Sequence, residues 1–291
     1  MESKPFKLIL VAGAMRSGTT LLQQILCASP AANSFIHGCR YLVSQIGVYA
    51  QYAGPDRLFI DDYLGGPQGL FDFTKDLLDR MLQKTHQRSG RPAALVLKSP
   101  ELATYFPHAA VLLPAARFVI SVRDPKDTIA SMIEVGEKHR QRRANSFLAG
   151  AGRDINALCA SYRRFYLPVL KAMNDPADAL SARVLFVRYE QLIGDTEAAV
   201  QRLSAFCDLS LTSADLAEWG KRRRQASSSD DPLLRHPHWS AYITGLSGGP
   251  ISGASIGRHR EVLAPSEADK IDELCADIRQ AFGYGPATTR P

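Results

Sequence analysis

Long apolar runs are missing from this chain of 291 residues. None approaches the roughly 18–20 residues of a membrane-spanning helix, so no transmembrane segment is expected. Paired cysteines are missing as well. Cys27, Cys39, Cys159, Cys207 and Cys275 are odd in number, scattered and without C-x-x-C. That pattern argues against a disulfide framework or a cysteine-bound zinc and points to a reducing, cytoplasmic setting. The formal net charge is +6, yet no interleaving of basic and aromatic residues accompanies it. Basic clusters at 140–143 (RQRR) and 221–224 (KRRR) therefore read as solvated faces or as steering for a small anion, with no nucleic acid expected. Repeats, low-complexity blocks and an evident interdomain linker are also lacking, and residues 1–291 are read as one domain.

What remains is ordinary for a globular protein, 45% hydrophobic and 22% charged, and long enough to bury a large core. Short, continuously apolar stretches recur at residues 8–11, 94–97, 117–122 and 184–187. Continuous rather than alternating hydrophobicity is the mark of parallel strands covered on both faces. The N-terminal KPFKLILVAGA has lysines before a short apolar run, like a leader peptide, but the run is about five residues long. It is read as the first strand. Helical patterns separate the strands: TTLLQQILCAS, PKDTIASMIEVGEKH with Asp124 as N-cap and Pro125 as first residue, and DTEAAVQRLSAFCDL. Alternating strands and helices mean an α/β fold with a parallel sheet. Two stretches look irregular, residues 38–75, rich in aromatics and glycine, and residues 225–258, rich in Ser, Gly and Pro. They are expected to be functional lids, with a flexible segment as the alternative for the second.

Between the first strand and first helix lies VAGAMRSGTTLL. Gly13, Gly18 and Thr20 fall where a phosphate-cradling loop, G-x-x-x-x-G-K-[ST], has its glycines and hydroxyl, but Thr19 stands in place of the lysine. Such a loop aims backbone N–H groups and a helix N-terminus at one oxyanion. The nearest cation is Arg16, within the loop, and no apolar strand ends in an aspartate suited to hold magnesium. A second constellation, RFVISVRDPKDTIASM, places Arg123 at the C-terminal end of a buried strand and Ser131 on the next helix. It reads as a second anion site, separate from the loop, unless Arg123 simply pairs with Asp124 or Asp127. One ligand with anions at two ends would use both. His236 and His238 form a lone H-x-H, too little for a metal site.

Taken in order, the loop, K-S-P-E at 98–101, R-D-P-x-D-x-x-x-S at 123–131, R-Y-E-x-L at 188–192 and S-I-G-R-x-R-E at 255–261 resemble the PAPS-dependent sulfotransferases. The likeness is to their bacterial branch and to its tyrosylprotein-sulfotransferase relatives. The resemblance implies a P-loop NTPase-like parallel β-sheet flanked by helices on both faces. It also implies metal-independent, in-line transfer of a sulfuryl group from 3′-phosphoadenosine 5′-phosphosulfate (PAPS) to an acceptor hydroxyl, with PAP as product. Carried over residue by residue, it assigns Arg16, Ser17, Gly18, Thr19 and Thr20 to the 5′-phosphosulfate. Arg123 and Ser131 fall to the 3′-phosphate, Tyr189 lies near the adenine, and Ser255, Ile256, Gly257 and Arg258 cover the 3′-phosphate.

Arg16 and Lys98 are the expected stabilisers of the leaving group and transition state. The base is open between two residues. Counting without gaps from Arg16 puts His37 where the tyrosylprotein enzymes have a glutamate; Glu101 is its rival. The acceptor, whether small molecule, sugar, lipid or peptide, and the oligomeric state are not legible. Two other readings stay open: a PAP- or nucleotide-binding module without catalysis, and a P-loop kinase with a displaced cation.

Overall fold

In the computed structural model, residues 5–54, 60–174, 179–225 and 251–285 are described. Strands β1 (Lys7–Gly13), β2 (Ala94–Lys98), β3 (Arg117–Val122) and β4 (Val184–Arg188) form one sheet in the order β2-β1-β3-β4. Every neighbouring pair is parallel. Successive strand residues point to opposite faces, and here both faces are dry. Leu8, Leu10, Leu95, Leu97, Phe118 and Ile120 enter one core, while Ile9, Val11, Val96 and Val119 enter the other. Two cores sharing one sheet explain why the strands read as unbroken apolar runs.

Helix α1 (Thr19–Leu26) covers one face through Leu22, Ile25 and Leu26. The other face carries α2 (Arg40–Tyr52), the short α3 (Asp61–Leu64), α4 (Pro67–Arg88), α5 (Phe106–Leu112) and α6 (Pro125–Gln141). The Asp124 side chain caps α6 through the Lys126 N–H at 2.7 Å, and Pro125 opens the helix, as the sequence suggests. The helix at residues 196–207 is likewise capped by Asp195.

The expectation of irregular structure over residues 38–75 is overturned. Apart from residues 55–59, which lie outside the described residues, the stretch is mostly helical. Leu42, Val43 and Ile46 bury one side of α2, and Leu70, Thr74, Leu78 and Leu82 one side of α4. Aromatic residues and glycine mask this periodicity, because tertiary packing outweighs their weak helix propensity. Gly47 has its own reason to be there: a Cβ would stand 3.2 Å from the Tyr105 ring. Of the second irregular stretch, residues 226–250 lie outside the described residues, His236 and His238 among them. Residues 251–258 pass through turns into the single helical turn His259–Val262.

Candidate functional site

The loop after β1 is held in shape by the neighbouring strand. Ser17 is buried, and its hydroxyl donates to the Ala14 carbonyl (2.8 Å) and the Ser121 carbonyl (3.3 Å). Ser121 Oγ returns a bond to the Ser17 carbonyl at 2.6 Å. The Tyr166 hydroxyl donates to the Ser121 carbonyl and accepts from the Ala14 N–H. Arg16 (φ +71°) and Gly18 (φ +97°) both take the left-handed conformation, which turns the chain sharply into α1. Helix α1 starts with no side-chain cap and no acidic residue in its first turn. Its N–H groups and partial positive charge are therefore uncompensated by the helix itself, as an oxyanion site requires. Thr19 is buried and Thr20 exposed.

Arg123 lies beside this loop, because β1 and β3 are paired with Gly13 opposite Ser121. The residue is 6% exposed. One terminal nitrogen donates to the Arg16 carbonyl at 3.2 Å, the other to the Ser255 carbonyl, and Nε is buried with no hydrogen-bond partner among the described residues. A buried donor without a partner is costly unless a ligand supplies the acceptor. Arg16 Nε in turn donates to Ser131 Oγ at 3.1 Å. The second anion site was expected to be separate from the loop; the structure joins them, since adjacent strands deliver Arg16, Arg123 and Ser131 to one place. Local pairing of Arg123 is slight, with Asp127 3.9 Å away.

Tyr189 opens the helix Tyr189–Gly194 after β4 and is buried against the loop. Its ring lies under Arg123 at 4.8 Å and so near Gly18 that a Cβ there would come within 2.5 Å of it. Its hydroxyl is hydrogen-bonded to Ser255 Oγ at 2.8 Å. Ser255 is thus in the cluster, but its neighbours are not: Ile256 is 42% exposed, and Arg258 turns out to Glu134 on α6. The backbone behind Arg123 is fixed as well. Tyr162 donates to the Arg123 carbonyl, and Glu190 accepts from the Asp124 N–H and from Tyr284. Tyr162, Tyr166 and Glu190 were not singled out from the sequence. Glu190 sits in the R-Y-E motif and could have been; the two tyrosines, inside and after an amphipathic helix, carry no such signal.

Lys98 ends β2, and its carbonyl accepts from the Cys39 N–H at the start of α2. Burial holds its ammonium below the usual lysine range; the nearby Glu101 opposes that shift and Arg16 adds to it. Arg16 and Lys98 are therefore close enough to feel each other's charge. Burial pushes the Cys39 thiol up to about 12, so it is a neutral neighbour rather than a nucleophile. Glu101 sits in the 3-10 turn Pro100–Ala103 and accepts from Ser99 Oγ at 2.6 Å. His37 is exposed, edge-on to Phe35, two residues before the Cys39 amide that contacts Lys98. The structure thus joins Arg16, Arg123, Ser131, Tyr189 and Ser255 by direct contact, and Lys98 and Glu101 by charge. His37 lies two residues before Cys39, whose N–H donates to the Lys98 carbonyl.

A ligand with an anion at each end fits these residues. The Arg123 Nε and the open start of α1 each supply donors that no described residue uses. Among the described residues no cluster of three or more His, Cys, Asp or Glu is arranged to hold a metal ion.

Comparison with known proteins bears on the family and the fold. The model of the family described as "Sulfotransferase family" matches residues 9–213. A Caenorhabditis briggsae protein named "Putative protein-tyrosine sulfotransferase" is 26% identical over 204 residues, 70% of this chain. That match spans 66% of the relative's length. The sulfotransferase domain of the Synechococcus PCC 7002 olefin synthase has a similar structure, with a TM-score of 0.52, 18% identity, and 95% of this chain and 96% of that one covered. A Mycobacterium avium sulfotransferase gives 0.56 at 15% identity, covering 95% and 77%. A mouse sulfotransferase complexed with PAP gives 0.51 at 14% identity, covering 96% and 86%. At these identities the structural likeness speaks for the fold, a P-loop NTPase-like parallel sheet.

Proposed function

The chain belongs to the sulfotransferase family, and from that premise we propose that it moves a sulfuryl group from PAPS to an acceptor hydroxyl. The observation that carries the donor assignment is the contiguity of Arg16, Arg123 and Ser131, with Arg123 Nε buried and unpartnered among the described residues. In this reading the loop N–H groups from Arg16 to Thr20 and the start of α1 hold the 5′-phosphosulfate. Arg123 and Ser131 hold the 3′-phosphate, with Tyr189 beside the adenine and the turn at 255–258 over that end.

The bound donor supplies an electrophilic sulfur: an acceptor-oxygen-to-sulfur bond forms as the sulfur-to-bridging-oxygen bond breaks. Arg16 and Lys98 place fixed positive charge where the leaving phosphate oxygen gains negative charge, and need no reorganisation to do so. The loop, held by Ser17, Ser121 and Tyr166, would keep a bound donor in one orientation for attack. His37 or Glu101 takes the acceptor proton; both are side-chain types that serve as general bases, and Glu101 is electrostatically coupled to Lys98. The acceptor class follows the named relative, so tyrosine phenols belong in any panel tested.

The test is incubation with labelled PAPS and a panel of tyrosine peptides, phenols, sugars and alcohols, with and without EDTA. Transfer that persists in EDTA is expected. Dependence on magnesium with ATP as donor would support the kinase reading. Tight PAP binding with no turnover on any acceptor would support the non-catalytic one.

A further inference from the structure

Asp127, the second aspartate of R-D-P-x-D-x-x-x-S at 123–131, is a buried carboxylate to which the sequence assigns no ligand-binding role. It lies in the first turn of α6, is 3% exposed, and faces the turn at residues 255–259. Its Oδ2 accepts the Gly257 N–H at 2.8 Å. Its Oδ1 accepts the His259 N–H at 3.0 Å and faces His259 Nδ1 at 2.8 Å. Gly257 takes φ +77°, the left-handed conformation that lets alternate N–H groups converge on one acceptor. The other end of the same turn is tied to donor-side residues, Ser255 O to Arg123 and Ser255 Oγ to Tyr189.

Resting on the proposed donor, we infer that Asp127 is a positioning residue for PAPS: it anchors the turn at 255–259 across the Arg123 end of the site. Its own charge argues the opposite way. A carboxylate 3.9 Å from Arg123 repels an incoming phosphate, so as a mere counter-charge it would weaken donor binding. The two roles predict opposite signs. Three N–H donors converge on the carboxylate at 2.8–3.0 Å, against one distant ion pair, and the anchoring role dominates.

Asp127→Asn separates them, because it keeps the shape, removes the charge and turns one acceptor into a donor facing the Gly257 N–H. PAP affinity, measured by calorimetry, is expected to fall at least about tenfold, the scale of lost hydrogen bonds to a charged group. KM for PAPS should rise with it, while kcat at saturating donor stays within about twofold. Amide exchange at Gly257 and His259 should accelerate in the same variant without any nucleotide, which tests the anchor independently of the donor. His259→Ala, which leaves the backbone bonds, is expected to show a smaller loss in the same direction and serves if Asp127→Asn does not fold. Asp79→Asn, at the exposed partner of Lys75 on α4, is expected to leave PAP affinity unchanged. Tighter or equal PAP binding by folded Asp127→Asn overturns the inference. Wild-type protein that ignores PAP overturns the donor assignment, even where exchange confirms the anchor.

Discussion

Arg16 and Lys98 carry the chemistry in this account, and they can be told apart by pH. Burial lowers the Lys98 pKa from its ordinary 10.5, so Lys98 loses its proton sooner than a surface lysine as pH rises. The rate is expected to show an alkaline limb below pH 10.5 that is absent from Lys98→Met. In that variant kcat should also fall about 10²–10³-fold; an unchanged limb in the pH–rate profile would remove Lys98 from the reaction. The same shift has a stability sign. Between its folded and unfolded pKa values Lys98 binds fewer protons in the folded state, so its contribution to stability rises with pH across that window. His37 and Glu101 divide on substitution: if His37 is the base, His37→Ala loses turnover with PAP binding intact. Abolition by Glu101→Gln alone, with His37→Ala at wild-type rate, assigns the proton to Glu101. At this scale the sequence was legible for the cations and ambiguous for the base. A strand-end arginine has few places to go, whereas the position of an exposed loop histidine depends on contacts its neighbours in sequence do not reveal.

Elements place these residues through backbone rather than through side chains. Gly18 shows it most clearly, since a Cβ there meets the Tyr189 ring at 2.5 Å and φ is +97°. Gly18→Ala is expected to cost about 1–3 kcal/mol, the scale of strained backbone, and to weaken PAP binding as the ring is displaced. Chemical denaturation and calorimetry on the same preparation check both. Asp195→Ala, which removes only the cap on the helix at residues 196–207, should cost about 1 kcal/mol and leave PAP affinity alone. All four strands, α1, α6 and the capped helix at 196–207 were readable, because each has a continuous apolar run, an apolar face at helical spacing or an evident cap. Helices α2 and α4 were not. Their apolar stripes are interrupted by exposed Tyr41, Val48 and Phe73, so the helical period is blurred in sequence and becomes visible only as burial.

Across the whole molecule, one parallel sheet with a core on each face fixes the ends of β1 and β3 side by side, and with them Arg16 and Arg123. Sequence spacing gave two anion sites but not their contiguity, which is a property of strand order and appears only when β1 is seen between β2 and β3. The central claim is that this joint site grips a donor with anions at both ends. Its most direct measurement is calorimetric titration with PAP and with adenosine 5′-monophosphate, which lacks the 3′-phosphate, in wild-type protein and in Arg123→Ala. PAP is expected to bind wild type at least about tenfold tighter than the monophosphate, the scale of a charged hydrogen-bond partner, and Arg123→Ala should erase that difference. Equal affinities in the wild-type protein, or a difference that survives Arg123→Ala, would contradict the account.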